Sequence, residues 1–397
     1  MEPQTKTTGQ PVLTKALLRE LRRREREIVR LLGRFARCES PSYDKAAVDR
    51  FGGMVEREWR RRGARVRILR QKQRGNHVRA ELWLGDGRPA RQILILGHLD
   101  TVYPLGTLAR MPFRVSGGRA WGPGTFDMKA GLALALAAVD ALKTARSRSH
   151  SGPRKRLVFL WTSDEEIGSS TSRREIEREA RRSDAVLVLE PAYGRGGAVK
   201  TARKGVGTAE IIVTGRSAHA GIDPSAGINA VHELALQIAR LSKINDPRRG
   251  ITVQATVVAG GTTSNVIPDH ARATVDIRYG HLADASKLNR KLRSLRPILK
   301  GARVEVRGGV NRPPLERTAA VRELFRRARE IMREMGLPLG EASTGGGSDG
   351  NFTAALGVPT LDGLGAVGDG AHSLGEHVVI RSLPERAALL AGLLTML

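Results

Sequence analysis

Three apolar segments that each run into polar residues constrain the fold of this chain most strongly. Their sequences are "QILILGH" (92–98), "RLVFLWTS" (156–163) and "AVLVLEP" (185–191). Strands that are covered on both faces have such compositions, because neither face then presents side chains to water. A helical pattern, "MKAGLALALAAVDALKTA" (128–145), separates the first two segments. Apolar strands that alternate with helices predict an α/β fold with a largely parallel, doubly wound sheet.

The N-terminal part of the chain adds helices and two further strands to this prediction. An arginine-rich helical pattern spans 13–36, and a second helix is predicted at 45–62, where Gly63 ends it. The strand-like segments "ARVRILR" (64–70) and "HVRAELWLG" (77–85) follow. The segment "TARSRSHSGPRKR" (144–156) is predicted to be an exposed loop.

The pattern of strands changes near Lys204, where half-exposed strands replace the uniformly apolar ones. The strands read "GVGTAEIIVTG", "ITVQATVVAGG", "HARATVDIRYG" and "ARVEVRGG", and helices are predicted at 229–243 and 283–299. The order β-α-β-β-α-β is typical of a ferredoxin-like α+β domain with a four-stranded antiparallel sheet. We therefore expect this domain at 204–313, inserted into a first domain formed by 1–203 and 314–397.

The composition bears on where the protein is found. The apolar helical pattern is too short to span a bilayer and contains Asp140, and the first residues, "MEPQTKTTGQPVLTK", hold no apolar signal core. The single cysteine, Cys38, allows no internal disulfide and fits a reducing compartment. These features predict a cytoplasmic protein without a membrane partner.

The net charge of +27 allows two interpretations. Such a surface attracts polyanions, so one interpretation is a non-catalytic protein associated with nucleic acid. The other is a basic, solvated surface. The basic residues are spread along the chain, only 4% of residues are aromatic, and zinc-finger cysteines are missing. The sequence therefore favours the solvated surface and predicts no specific nucleic-acid partner.

Several acidic and imidazole side chains follow the predicted strands or lie in glycine-rich loops. They are His98, Asp100, Glu165, Glu166 and Glu190 at strand ends, Asp127 in "AWGPGTFDMKAG" and His372 in "GDGAHSLGE". Ligands collect at the carboxyl ends of the strands in doubly wound sheets. Taken singly, Asp127 suits a helix cap, Glu190 an arginine partner and His372 a surface position. Taken together, the carboxylates would repel one another unless cations neutralised them.

Two histidines and three carboxylates suit a pair of divalent metal ions. Zinc is the natural choice, with Co²⁺ or Mn²⁺ as alternatives. A bridging carboxylate would hold the ions about 3.5–4 Å apart around one shared hydroxide. In "SDEEIG", one glutamate would bind metal while its neighbour accepts a proton from that water.

The order of several motifs makes the chain resemble a known family. The motifs are "GHLDTV", "AWGPGTFDMKAG", "TSDEEIGS", "VLEP", "TGRSAHAG", "SNVIP", "DIRY", "TGGGSDGNF" and "AHS". They resemble the co-catalytic zinc exopeptidases and deacylases, which include glutamate carboxypeptidase, acetylornithine deacetylase, succinyl-diaminopimelate desuccinylase and aminoacylase. The likeness extends from about Leu17 to the C-terminus. The segments "GHLDTVYPLGTLARMPFRV" and "STGGGSDGNF" make bacterial glutamate carboxypeptidase the most similar member.

The resemblance implies a role for each candidate residue at the metal site. His98 and Glu190 would bind one zinc, Glu166 and His372 the other, and Asp127 both. Glu165 would be the general base, and Asp100 would hold the second ring nitrogen of His98. Asp127 commonly begins a cis peptide bond in this family. Met128 stands where the glutamate carboxypeptidase likeness suggests a second acid, which weakens the narrow substrate assignment.

Further roles concern the substrate. The resemblance implies that His219 stabilises the oxyanion, often in the active site of a partner subunit, although local packing at a strand end is the simpler interpretation of this histidine. Residues that would bind a substrate carboxylate are Asn265, Arg278, Arg312, Gly345, Gly346 and Gly347.

The expected protein is thus a di-zinc hydrolase, a homodimer through the inserted domain, that acts on a short peptide or N-acyl amino acid. The expected reaction is cleavage of the amide bond beside an amino acid with a free α-carboxylate. An N-acyl-amino-acid deacylase or an aminopeptidase with the same metal site is the first alternative. A basic protein associated with nucleic acid is the remote one, and it would have no need of a general base such as Glu165.

Overall fold

The computed structural model describes residues 10–85, 89–146 and 154–397. These residues divide into two compact units. Unit 1 contains the described residues up to Thr201 together with Arg317–Ser343 and Ser348–Leu397. Unit 2 contains Ala202–Glu316 and Thr344–Gly347. Residues 1–9, part of the segment in which the sequence predicts no signal core, lie outside the described residues. So do residues 147–153 at the centre of the predicted exposed loop.

The described secondary structure follows in chain order. The helices are α1 (Gln10–Arg23), α2 (Glu25–Ala36), α3 (Lys45–Arg61), α4 (Ala130–Arg146), α5 (Arg173–Ala180), α6 (Ala230–Ser242), α7 (Ala285–Arg293), α8 (Ala319–Glu334), α9 (Gly350–Ala355) and α10 (Ser382–Met396). The strands are β1 (Arg65–Leu69), β2 (His77–Leu84), β3 (Pro89–His98), β4 (Arg114–Ser116), β5 (Arg119–Trp121), β6 (Arg154–Thr162), β7 (Ala185–Val188), β8 (Val199–Arg203), β9 (Gly205–Thr214), β10 (Ala218–His219), β11 (Thr252–Gly260), β12 (Val266–Ile267), β13 (His270–Tyr279), β14 (Arg303–Arg312), β15 (Glu341–Thr344), β16 (Thr360–Leu361), β17 (Gly368–Asp369) and β18 (His377–Val379).

The three apolar segments form the centre of a six-stranded sheet in unit 1. The strand order is β1-β2-β6-β3-β7-β16. The pairs β6/β3, β3/β7 and β7/β16 are parallel, whereas β1/β2 and β2/β6 are antiparallel. Residues 93–96 of β3 are completely buried, as expected for a strand that is covered on both faces. The predicted α/β fold with a largely parallel sheet is confirmed.

Two of the predicted helices have different bounds in the structure. The pattern at 13–36 is divided into α1 and α2 at Arg24, whose guanidinium bonds to Glu20 and Thr144. The apolar spacing continues across this bend, so periodicity alone does not detect it. The helix predicted at 283–299 ends at Arg293, four residues before Pro297, whose ring nitrogen has no N–H to donate to the Arg293 carbonyl. The N–H groups of residues 298 and 299 donate to the carboxylate of Glu233 instead.

Unit 2 contains the β-α-β-β-α-β arrangement in the order β9, α6, β11, β13, α7, β14. Its four strands form an antiparallel sheet in the order β11-β13-β9-β14. The side chain of Asn229 caps α6 by accepting the N–H of His232. Residues 344–347 belong to this unit, although the sequence placed all of 314–397 in the first domain.

Among the described residues, no helix combines the length and apolar character needed to cross a membrane.

Candidate active site

Strand β3 ends at His98, whose ring is buried in unit 1. Its Nε2 lies 3.1 Å from Asp127 Oδ1 and 3.4 Å from Glu190 Oε1. Its Nδ1 lies 2.9 Å from the backbone oxygen of Asp100 and 3.5 Å from the carboxylate Oδ1 of the same residue. Nδ1 therefore lies beside both the carbonyl and the carboxylate of Asp100, and the carbonyl is the nearer of the two.

The carboxylate of Asp100 also contacts the turn that follows β6. Its Oδ1 accepts the N–H of Glu165 and its Oδ2 that of Glu166, each at 3.2 Å. The hydroxyl of Ser42 donates to Oδ2 at 2.8 Å. Asp100 thus joins the end of β3 to the two adjacent glutamates, because its backbone holds His98 and its side chain holds their main chain.

The loop before α4 positions Asp127 between two histidines. Oδ1 of Asp127 faces His98, and Oδ2 lies 3.5 Å from Nε2 of His372. His372 has a left-handed backbone (φ 61°), and its Nε2 also lies 3.3 Å from Glu166 Oε2. The peptide bond between Asp127 and Met128 is cis. Asp127 therefore presents one carboxylate oxygen to each imidazole.

Met128 fills a gap that glycines leave beneath His98. A Cβ atom at Gly97 or at Gly131 would come within 2.5 Å of the Met128 methyl carbon. The thioether sulfur lies 3.3 Å from the backbone nitrogen of His98 and accepts its N–H. This position is completely buried, so an acid here would be taken out of water. The packing explains why a methionine fits at this position.

The sequence analysis missed Glu376, which is completely buried. Its carboxylate accepts the backbone N–H groups of Gly124, Phe126 and Asp127 at 3.0, 2.7 and 2.8 Å. These bonds hold the loop that carries Asp127. Glu376 ends the motif "GDGAHSLGE", but a carboxylate in a glycine-rich loop gives no sign of its partners, which lie 250 positions away for Phe126.

The electrostatics of this cluster follow from burial and from the small distances between its charges. Hydrogen bonds to the carboxylates of Asp127 and Glu166 raise the pKa of His372 to about 10. Burial, together with the nearby charge of Asp127, raises the pKa of Glu166 to about 7. Burial would also raise the pKa of Asp127, but the bonds to His372 and His98 lower it. The acids therefore depend on positive charge for their ionised forms.

Two overlapping groups of side chains have donor atoms within 4.8 Å of one another. One contains His98, Glu165 and Glu190, and the other contains His98, Asp127 and Glu166. Oε1 of Glu166 is buried and has no hydrogen-bond partner in the described chain. The five predicted ligands thus converge in unit 1, and Glu165, predicted to be the general base, lies within the same group of donors. Imidazole and carboxylate donors at such distances can hold divalent cations.

Unit 2 contains the remaining predicted residues. His219 and Asn265 lie beside each other, because the ribbon of β10 and β12 continues in a bond from Ala220 N–H to the Asn265 carbonyl. Nδ1 of the exposed His219 accepts the N–H groups of Gly221 and Ile222 at 3.2 and 3.1 Å. In the neutral ring, Nε2 therefore carries the proton.

The glycine loop of unit 2 is held by arginines. Arg278 forms an ion pair with Asp276 at 2.8 Å and donates to the Gly345 carbonyl at 3.1 Å. Arg203, which the sequence analysis missed, donates to the carbonyls of Gly346 and Gly347, both at 3.1 Å.

A Cβ atom at Gly347 would lie 3.0 Å from Cδ of the buried Arg312, so this glycine permits a close approach. The arginine contacts to the three glycines thus reach their carbonyl oxygens, and the N–H of Gly346 donates to the hydroxyl of Thr344.

Comparison with known proteins identifies the family. The sequence profile of peptidase family M20/M25/M40 matches residues 94–396. The chain belongs to this family. It is 32% identical over 378 residues to carboxypeptidase G2 from Pseudomonas sp. (strain RS-16), an alignment that covers 92% of this chain and 88% of that protein. It is 28% identical over 344 residues to succinyl-diaminopimelate desuccinylase from Dechloromonas aromatica, with 80% and 86% covered.

Solved structures agree with this assignment at the level of the fold. The chain resembles a metallo-carboxypeptidase of the M20 family from Sulfolobus solfataricus with a TM-score of 0.73 at 17% identity, over 93% of this chain and 99% of that chain. The predicted family is confirmed, and with it a metal-dependent peptidase or amidohydrolase.

Proposed function

We propose that this member of the M20 family is a carboxypeptidase that uses two zinc ions to hydrolyse the amide bond beside an amino acid with a free α-carboxylate. One observation carries the proposal. Asp127 directs one oxygen to His98 and the other to His372, at 3.1 and 3.5 Å. A carboxylate placed between two imidazoles, with further acids beside each, suits a pair of cations better than a single one.

The residues of unit 1 fit such a pair. His98 and Glu190 would hold one ion, His372 and Glu166 the other, and Asp127 both. The buried, unpartnered Oε1 of Glu166 is an acceptor that a cation would satisfy. Zinc suits this mixture of nitrogen and oxygen donors, and Co²⁺ or Mn²⁺ would fit the same ligands. Bound ions would polarise the scissile carbonyl and lower the pKa of a water molecule.

Glu165 is the residue that moves the proton in this proposal. Its carboxylate accepts a proton from the attacking water and then donates it to the amine nitrogen that departs as the C–N bond breaks. The bond from its own N–H to Asp100 holds its backbone beside His98. Asp100 also holds Glu166, so it keeps the two glutamates in one fixed turn.

Residues of unit 2 supply the proposed contacts to the substrate. His219 Nε2–H would donate to the oxyanion, since its Nδ1 is already an acceptor for two backbone amides. Arg312 and Arg278, with Asn265, would bind the α-carboxylate, and the loop of Gly345, Gly346 and Gly347 would border it. The hydrogen bond from Arg278 to the Gly345 carbonyl holds this arginine next to the glycine loop, as the proposal requires.

The choice of substrate rests on the relatives. The similarity to carboxypeptidase G2 favours a substrate with a C-terminal amino acid. The resemblance of the segment at 97–115 to glutamate carboxypeptidase makes glutamate the first candidate. The similarity to succinyl-diaminopimelate desuccinylase supports the second candidate, an N-acyl-amino-acid deacylase with the same metal site. Both reactions release an amino acid from a linear amide, so they share the proposed chemistry. They would differ in the pocket that binds the acyl group of the substrate.

We also propose a cytoplasmic homodimer that forms through unit 2. Strand β11 lies at an edge of the sheet and exposes Val257 and Val258 by 60% and 56%. An exposed apolar edge strand favours pairing with a second chain. Sedimentation of the wild-type protein and of Val257→Lys measures this association, which the lysine should weaken.

The deciding experiment combines metal analysis with hydrolysis of a panel of N-acyl-glutamates, N-acetylornithine and dipeptides. The wild-type protein should contain about two zinc ions per chain. Glu165→Gln should lower kcat by about 10²–10⁴-fold without loss of metal. Glu177→Gln, at a half-buried position of α5 outside the metal site, is the matched control. Bound metal without turnover of any amide would contradict the peptidase proposal, and a protein that binds no metal would contradict the metal site as well.

A further inference from the structure

A strongly basic cavity of about 260 Å³ lies in unit 1, between the β1–β2 edge of the sheet and α5. We call it the arginine cavity. Six arginines and two glutamates line it, an excess of four positive charges. The arginines are Arg65, Arg67, Arg79, Arg156, Arg178 and Arg182.

The two acids of the arginine cavity are already engaged. Glu179 accepts from Arg79 at 3.0 and 3.3 Å, and Glu81 accepts from Arg79 at 2.9 Å and from Arg156 at 2.7 Å. Arg79 and both glutamates are less than 9% exposed. Arg79, Arg156 and the two glutamates together carry no net charge, so the other arginines account for the charge excess, although Arg65 stands opposite Glu81 in the register of β1 and β2.

Of the remaining arginines, Arg178 pairs with Glu175 and, at 3.8 Å, with Glu179. Within the described ranges, the other three, Arg65, Arg67 and Arg182, form no ion pair with an acid. Arg67 stands directly opposite Arg79 in the register of β1 and β2, and like charges in such a pair repel each other. The Nε atoms of Arg156 and Arg178 are buried without a hydrogen-bond partner in the described residues. Buried donors of this kind are rare and normally find an acceptor.

We propose that the arginine cavity binds the phosphate group of a small solute. A guanidinium presents parallel N–H donors that match phosphate oxygens. A phosphate group carries about −1.5 to −2 charge at neutral pH, which matches the charge excess better than a single carboxylate does. Pockets for drug-sized ligands typically have volumes of about 300–1,000 Å³. The arginine cavity is smaller, so it suits a small anion. This site would use part of the charge excess of the chain, and it uses none of the residues assigned to hydrolysis.

The test is a calorimetric titration of the metal-loaded protein with inorganic phosphate, with sodium chloride adjusted to keep the ionic strength constant. Wild-type protein should show saturable binding at one cavity site. Arg67→Gln should weaken this binding about tenfold or more, because a charge-assisted hydrogen bond is lost. Arg19→Gln removes the same charge from an exposed position of α1 and should leave the affinity unchanged. Arg67 is exposed, so the variant should fold, and Arg65→Gln provides a second one.

Phosphate that binds the metal ions does not confuse the result, because the arginine variants leave the metal ligands intact. Saturable binding that Arg67→Gln and Arg65→Gln do not weaken would overturn the proposal, as would the absence of saturable binding. A parallel titration with adenosine monophosphate separates two sources of the same group. Tighter, Arg67-dependent binding of the nucleotide indicates a phosphomonoester, and equal or weaker binding indicates free phosphate. Binding of a single-stranded oligonucleotide alone, with equal losses in Arg67→Gln and Arg19→Gln, would show diffuse attraction of polyanions and contradict the site.

Discussion

Two clusters of buried charge in unit 1 differ in how their charges are compensated. At the carboxyl ends of β3 and β6, Asp127 and Glu166 have histidines as their ion-pair partners. On β2 and α5, Glu81 and Glu179 have arginines. Burial raises the pKa of Glu166 to about 7, whereas hydrogen bonds from arginines overcome burial and lower the pKa of Glu81 and of Glu179. The second cluster is neutralised by permanently charged arginines, whereas the histidines of the first cluster are cationic only when they are protonated.

The largest effect on stability is expected where the compensation is internal. Glu179→Ala leaves the buried Arg79 guanidinium without its main partner, which should lower the free energy of unfolding by about 3–5 kcal/mol. Urea denaturation measures this change. Glu177→Ala, which removes surface pairs with the exposed Arg173 and Arg181, should cost about 0–1 kcal/mol. Equal losses in the two variants would mean that Arg79 finds other partners.

The acid-rich cluster should respond to zinc instead. Zinc at about one hundred times its dissociation constant should raise the free energy of unfolding by about 2.7 kcal/mol, since only the folded site binds it. Thermal unfolding of the metal-free and zinc-loaded proteins tests this. The zinc effect should be the same in Glu179→Ala, because independent sites contribute additively. Zinc without effect on the melting temperature would argue against the metal site.

The smallest effect concerns pH and the arginine-paired acids. The folded-state pKa of Glu81 is below its ordinary 4.5, because hydrogen bonds from Arg156 and Arg79 outweigh the effect of burial. Its ion pairs therefore stabilise the fold fully above that ordinary value, and the contribution is lost as the pH falls toward the lowered pKa. The difference in unfolding free energy between wild type and Glu81→Gln should shrink over this range in urea titrations at successive pH values. If the difference between the two proteins instead grew on acidification, the ion pairs of Glu81 would not be the source of the pH dependence.

The strand-end residues of the site could be predicted from the chain alone. His98, Glu165, Glu166 and Glu190 follow apolar segments, and the carboxyl ends of parallel strands meet at one edge of the sheet. Asp127 and His372 lie in loops; their chemistry grouped them with the strand-end residues, and the resemblance to the family gave each its role as a ligand. Glu376 was not predicted, because a buried carboxylate that holds a loop by backbone amides has no pattern in sequence. Arg203 was missed as well, because its partners are backbone carbonyls of a loop more than 140 positions away in the chain.

Local periodicity determined β1, β2, β3, β6 and β7 of unit 1 and the four-stranded sheet of unit 2, but not short strands such as β4, β5 and β16. Tertiary structure alone decided where α1 ends and α2 begins, and it assigned the Asp100 carbonyl to His98 and the Asp100 carboxylate to the glutamate turn. It also paired Arg67 with Arg79 across two strands. These contacts join residues from separate segments, and their geometry depends on loops and on strand register, which no local pattern of apolar residues specifies.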